Sequence, residues 1–272
     1  MPNRENIRRP ITLVGAGRSG TTLLTDVFRA HPDCESLGET GDAIFSCYHH
    51  LQSTLPFCGP FFDAENASGL AREAVYASLL SFATSERARW FHKPIHVPKV
   101  HRLFDDTEVF LRWWWEAQRT LFPEALVFTV LRDPSDVVVS SMRRWNRSLE
   151  RAVGELELLY RWLLHESSCC RFALRFEELV DEPERSVRAL LGRVGLPFDE
   201  RCLEACARMH APNTVDGRRD TLAAAAGRGH AHREAAALDI GRRLPELHER
   251  ALERLWTPLS ATAGTGERAA LS

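Results

Sequence analysis

ITLVGAGRSGTTLL, residues 11–24, is the stretch on which the reading of this chain turns. Ile11 to Val14 form a short apolar run, and Gly15-Ala16-Gly17 follow as small residues. Arg18-Ser19-Gly20-Thr21-Thr22 then lead into Leu23, Leu24, Val27 and Phe28 at helical spacing. The pattern predicts a strand, a tight glycine loop and a helix start. Such a junction suits an anion. The first turn of a helix leaves backbone N–H groups unpaired, and the macrodipole places about half a positive charge there. The glycines let the backbone approach closely, and Thr21 and Thr22 add hydroxyl donors.

The spacing Gly15-x-x-x-x-Gly20 looks like a P-loop with one departure. Thr21 stands where a nucleotide triphosphatase carries lysine. Arg18, inside the loop, is the nearest fixed positive charge. Such a loop is a poor site for a β/γ-phosphate with Mg²⁺, but suits a smaller anion held by amides and one cation.

Around this stretch the chain reads as a single α/β domain over residues 1–272, with a central, mostly parallel sheet and helices on both faces. Formal charge is −2, so no global basic field argues for nucleic acid. Seven cysteines without a C-x-x-C pair predict reduced thiols rather than a disulfide or metal framework. The polar start and the lack of a spanning apolar stretch predict a cytoplasmic protein without a membrane span. The abundant arginine reflects a GC-rich, bacterial genome. Against that bias the only lysines, Lys93 and Lys99, lie close together, which marks them as more than solubilising charge.

Residues 34–40 read as a second strand ending in Gly38-Glu39-Thr40. Strand C-termini line the ligand crevice of a parallel sheet, so Glu39 is expected near the glycine loop. A carboxylate there can act as general base, contributing roughly 10²–10⁴-fold. His31 and His92 are the competing candidates. Residues 41–64, with Phe45, Tyr48, Phe57, Phe61 and Phe62, read as an aromatic loop, either pocket wall or core packing. An amphipathic helix is predicted over 71–87, with Ala74, Ala77, Leu80 and Phe82 inward. Trp90 to Pro94 forms a strand end presenting Lys93, and His92, His96 and His101 lack a zinc spacing. Three adjacent tryptophans, 113–115, sit in a predicted helix and cannot share one face.

ALVFTVLR, residues 125–132, is the continuous apolar run of a buried central strand. It ends at Arg132-Asp133-Pro134, with proline suited to the first turn of the next helix. Arg132 at the strand end and Ser140 two turns along the helix can reach one phosphate, as bidentate fork and third donor. A helix over 149–169, a strand over 171–176 and a helix over 183–194 capped by Gly195 follow. Residues 213–236 read as a mobile loop, 244–259 as a terminal helix and 261–272 as a frayed tail.

GRSGTTLL, His31-Pro32, Gly38-Glu39-Thr40 and LRDPSDVVVSSMRR together resemble the sulfotransferases that use 3′-phosphoadenosine 5′-phosphosulfate (PAPS). The likeness covers roughly residues 11–200 and extends to LRFEELVDEPERSVRALLGRVGLPFDE. It implies that Gly17, Arg18, Ser19, Gly20, Thr21 and Thr22 hold the donor's 5′-phosphosulfate, and Arg132 and Ser140 its 3′-phosphate. It also implies Glu39 as base, as in the bacterial and tyrosyl-protein branches. Lys93, in a segment similar to the family's W-x-x-K-x-P, would steady charge on the leaving oxygen, although proline follows it immediately here. Arg218, Arg219 or Arg228 would close over the donor.

The expected reaction is sulfuryl transfer from PAPS to the hydroxyl of an apolar or aromatic small molecule or secondary metabolite. It leaves 3′,5′-adenosine bisphosphate, and no metal is expected. The alternatives are a P-loop kinase using ATP and Mg²⁺, or a non-catalytic nucleotide-binding protein.

Overall fold

A computed structural model describes residues 4–57, 64–82, 89–94, 104–165, 170–208 and 232–256. The strands are β1 (Ile11–Val14), β2 (Cys34–Ser36), β3 (Arg89–His92), β4 (Leu126–Leu131) and β5 (Phe172–Arg175). They form one sheet in the order β2-β3-β1-β4-β5, and every pairing is parallel. β1 is buried along its length, because β3 and β4 cover its edges and helices cover both faces. With all strands parallel, their C-terminal ends lie along one edge. The chain winds from β1 outward to β2, returns through β3 and then crosses to β4 on the other side. That reversal opens a crevice beside the end of β1.

The helices are α1 (Arg4–Ile7), α2 (Thr21–Ala30), α3 (Gly41–Thr54), α4 (Ala64–Phe82), α5 (Thr107–Leu121), α6 (Pro134–Trp145) and α7 (Leu149–His165). They are followed by α8 (Phe176–Asp181), α9 (Pro183–Arg193), α10 (Glu200–Arg208) and α11 (His232–Leu255). One core, built on Leu23, Val27, Phe28, Phe128, Leu190 and Leu191, packs α2, α9 and α10 on one face. The other packs α3–α7 and α11 on the opposite face, around Phe45, Tyr48, Trp114, Trp115 and Trp162. Local signals set several boundaries. The Asp133 carboxylate accepts from Ser135 and Asp136 N–H with Pro134 in the first turn, and Gly195 ends α9 at φ +74°.

Four expectations need correction. The second strand stops at Ser36, and Gly38 then turns the chain at φ +60°. Residues 41–54 form α3 rather than a loop, since Ile44, Phe45 and Tyr48 make one buried face. α4 begins at Ala64 and buries Ala71, Val75, Tyr76 and Leu79, leaving Ala74 and Ala77 exposed. Large side chains fix a helix's rotation, and alanines carry too little area to compete. The terminal helix begins at His232, inside the stretch expected as a loop. His96, His101, Phe61, Phe62, Arg218, Arg219, Arg228 and the tail 261–272 lie outside the described residues.

Candidate active site

The loop between β1 and α2 departs from ordinary backbone at two positions. Arg18 has φ +75° and Gly20 φ +101°. A Cβ at Gly20 would lie 2.3 Å from Cδ2 of Phe176, so glycine is required by both conformation and space. Arg18 holds a left-handed conformation unfavourable for an L-residue, and neighbouring groups tie it there. Its Nε–H donates to Ser140 Oγ at 2.9 Å, and Arg132 Nη1 donates to its carbonyl at 3.3 Å. The Ser19 hydroxyl closes the turn on Ala16 O at 2.7 Å.

Gly17, Arg18, Ser19, Gly20, Thr21 and Thr22 therefore meet Arg132 and Ser140 at one edge of the sheet. Ser19 and Thr21 are buried, whereas Thr22 is exposed at the start of α2. Arg132 donates to Asp136 at 2.7 Å and lies 4.6 Å over the Phe176 ring, yet its Nε–H is buried without a partner. Burial, and then the like charges of Arg144 and Arg132, push the Arg18 guanidinium below its ordinary pKa. Converging cations, an orphaned buried N–H and a helix start fit a polyanion of phosphate size.

Glu39 and Lys93 meet on the other side of β1. Leu37 N–H donates to Phe91 O and Lys93 N–H to Gly38 O, so the chain past β2 continues alongside the end of β3. Lys93 Nζ lies 3.0 Å from a Glu39 carboxylate oxygen, with side chains 4 % and 52 % exposed. A buried ammonium needs such a counter-charge. Gly41 backs the pair: a Cβ there would come within 2.4 Å of Pro94, so α3 starts pressed against the end of β3. The Pro94 that follows Lys93 thus has a packing role.

The histidine competitors lie elsewhere. His31, fully buried at the end of α2, bonds Pro197 O at 2.8 Å through Nε2 and accepts from Asp33 N–H. His92 is fully buried, 2.9 Å from the Thr12 hydroxyl, and burial lowers its pKa to about 3. Both are core groups. The expected aromatic pocket wall is also core in part, since Phe45 and Tyr48 pack against Trp113 and Trp114, while Phe57 is exposed.

Sequence reasoning missed Phe176, Asp136 and Trp145. Trp145 ends α6, where Asn146 at φ +49° turns the chain, and its ring lies on Gly17. An Asn after the last helical turn is the available signal for that boundary. Among the described residues no three His, Cys, Asp or Glu side chains gather as a metal site, and no helix is long and apolar enough to cross a membrane.

A protein of Caenorhabditis briggsae named "Putative protein-tyrosine sulfotransferase" is 25 % identical over 211 residues, 73 % of this chain and 69 % of its own length. The sulfotransferase domain from the Synechococcus PCC 7002 olefin synthase shares the fold, with a TM-score of 0.52 and 18 % identity over 91 % of this chain and 94 % of that one. The sequence profile described as "Sulfotransferase family" matches residues 10–200, more than half of the chain. The protein belongs to the sulfotransferase family.

Proposed function

We propose that this protein moves a sulfuryl group from PAPS to the hydroxyl of a neutral, apolar or aromatic small molecule in the cytoplasm. The observation that carries the donor assignment is the meeting of Arg18 with Arg132 and Ser140, more than a hundred residues apart in sequence. PAPS supplies an activated sulfuryl group. Amides and hydroxyls of residues 18–22 hold its 5′ end, and Arg132 with Ser140 its 3′-phosphate. Thr21, in place of a lysine, suits this donor better than ATP with Mg²⁺.

Glu39 is half exposed at the crevice edge and takes the proton of the acceptor hydroxyl. Lys93, buried and fixed by Glu39, turns a positive end toward the oxygen that gains charge. Ion pairing to a buried cation orients the base carboxylate before any acceptor arrives.

Thermal unfolding with 3′,5′-adenosine bisphosphate in EDTA, beside ATP with Mg²⁺, tests the donor. At about a hundred times its Kd a ligand adds roughly 2.7 kcal/mol of stability. A higher midpoint with the bisphosphate alone supports the assignment. A higher midpoint only with ATP and Mg²⁺ overturns it in favour of a kinase.

A further inference from the structure

β4 and β5 run parallel with Leu131 opposite Arg175, so the residues that follow each strand leave the sheet side by side. The Phe176 ring lies under the Arg132 guanidinium at 4.6 Å, and the Glu177 carboxylate accepts from Asp133 N–H at 3.0 Å. Two consecutive residues after β5 thus hold two consecutive residues after β4.

The local groups of the Arg132-Asp133 turn are already committed. β4 ends at Leu131, and Pro134, which has no N–H, opens α6. The Asp133 carboxylate is engaged on Ser135 N–H at 2.9 Å and Asp136 N–H at 3.2 Å. The backbone at position 133 therefore takes its tether from another element, through a hydrogen bond to a charged acceptor, the stronger kind. Arg132 bonds Asp136 at 2.7 Å and Arg18 O at 3.3 Å, but these contacts aim the guanidinium only while the backbone that carries it is fixed. The next glutamate has a different task. Glu178 accepts from Trp256 Nε1–H at 3.4 Å, and Trp256 pairs with Ala173 on β5.

We infer that Glu177 is a positioning residue for the 3′-phosphate arm of the donor site, fixing through the Asp133 N–H the turn from which Arg132 reaches the phosphate. The inference rests on the assignment of Arg132 to the 3′-phosphate. Glu177 acts through the backbone, and its effect is confined to one end of the donor. The β1–α2 loop keeps its own ties, Ser19 Oγ to Ala16 O at 2.7 Å and Arg18 Nε–H to Ser140 Oγ at 2.9 Å.

Calorimetric titration of the full chain with 3′,5′-adenosine bisphosphate, and with adenosine 5′-monophosphate, which lacks the 3′-phosphate, tests this. Wild type is expected to prefer the bisphosphate. Glu177→Ala weakens the bisphosphate by about tenfold and the monophosphate by less than about twofold, so the preference narrows. Glu177→Gln keeps an oxygen that accepts from Asp133 N–H and restores most of the preference. Glu177→Asp keeps the charge, falls a methylene short and behaves as Glu177→Ala, which covers the case of an alanine variant that does not fold. Glu178→Ala is the control, with a lower unfolding midpoint and an unchanged preference. A preference unchanged in Glu177→Ala or Glu177→Asp, a glutamine variant no better than alanine, or equal loss of both nucleotides overturns the positioning role. A wild type without preference overturns the assignment of Arg132 to the 3′-phosphate, and this inference with it.

Discussion

The Lys93 ammonium lies 3.0 Å from the Glu39 carboxylate, and the two side chains differ sharply in exposure, one buried and the other half in solvent. Both come from the ends of adjacent parallel strands, β3 and β2. Removing either partner therefore has unequal consequences.

Glu39→Gln leaves a buried ammonium without a counter-charge, whereas Lys93→Met leaves a carboxylate that water can reach. Glu39→Gln is expected to be the less stable of the two in urea unfolding, by about 1–2 kcal/mol after allowing for the exposure of Glu39. Equal stability of the two variants would mean that the difference in exposure between the partners does not set the cost of breaking the pair.

In sulfuryl-transfer assays Glu39→Gln is expected to lower kcat by roughly 10²–10⁴-fold. Bisphosphate affinity should stay within about threefold, because Glu39 lies across β1 from the Arg18–Ser140 contact. Full activity of this variant would remove Glu39 as the base.

Gly20→Ala meets two obstacles, φ +101° and the Phe176 ring 2.3 Å from the new Cβ. The substitution is expected to be destabilising by about 2–3 kcal/mol. Placed in a Phe176→Ala background, the steric part disappears and about 1 kcal/mol of backbone strain remains. Urea unfolding of the four proteins in the cycle measures the difference. An unchanged penalty in the second background would assign the whole effect to the backbone.

Ser140→Ala leaves the Arg18 Nε–H without its acceptor and frees a residue held at φ +75°. Calorimetric titration is expected to show bisphosphate binding weakened by about tenfold, one hydrogen bond to a charged group. Arg132→Lys is expected to be worse, since it also loses the planar guanidinium that bonds Asp136 and Arg18 O and lies over the Phe176 ring. Binding unaltered in both variants would place the phosphate elsewhere.

His92 supplies a pH test. Its folded pKa of about 3 lies below the ordinary value of 6.5, so the unfolded chain binds the proton more readily. The stabilising neutral state is fully present above pH 6.5 and is lost as pH falls toward the folded value. Stability should decline by up to about 1.4 kcal/mol per pH unit through that window. Relative to wild type, His92→Gln is expected to flatten the urea-midpoint profile below pH 6.5. Parallel profiles would show that His92 is not buried neutral.

The two loop-and-helix junctions were legible because their signals are local. β1 and β4 are apolar runs, and each is followed by residues that can do little else: glycines with Thr21-Thr22 in one case, Asp133-Pro134 in the other. The helices on the α3–α4 side were less legible. Gly41, Pro56 and the scattered aromatics at 41–57 obscured the Ile44-Phe45-Tyr48 face, and the alanines of α4 suggested a rotation that Val75, Tyr76 and Leu79 overrule.

By itself the sequence determined that a glycine loop and a helix start follow the first strand, since glycines and a helix start are properties of one short segment. It also named the residues at the ends of the other strands. Only the tertiary structure decided which side chains meet: Glu39 with Lys93, Arg18 with Ser140, and Trp145 with Gly17. The reason is that strand order and register bring distant side chains together. Neither leaves a periodic trace in the chain, because partners are chosen by the packing of both sheet faces at once.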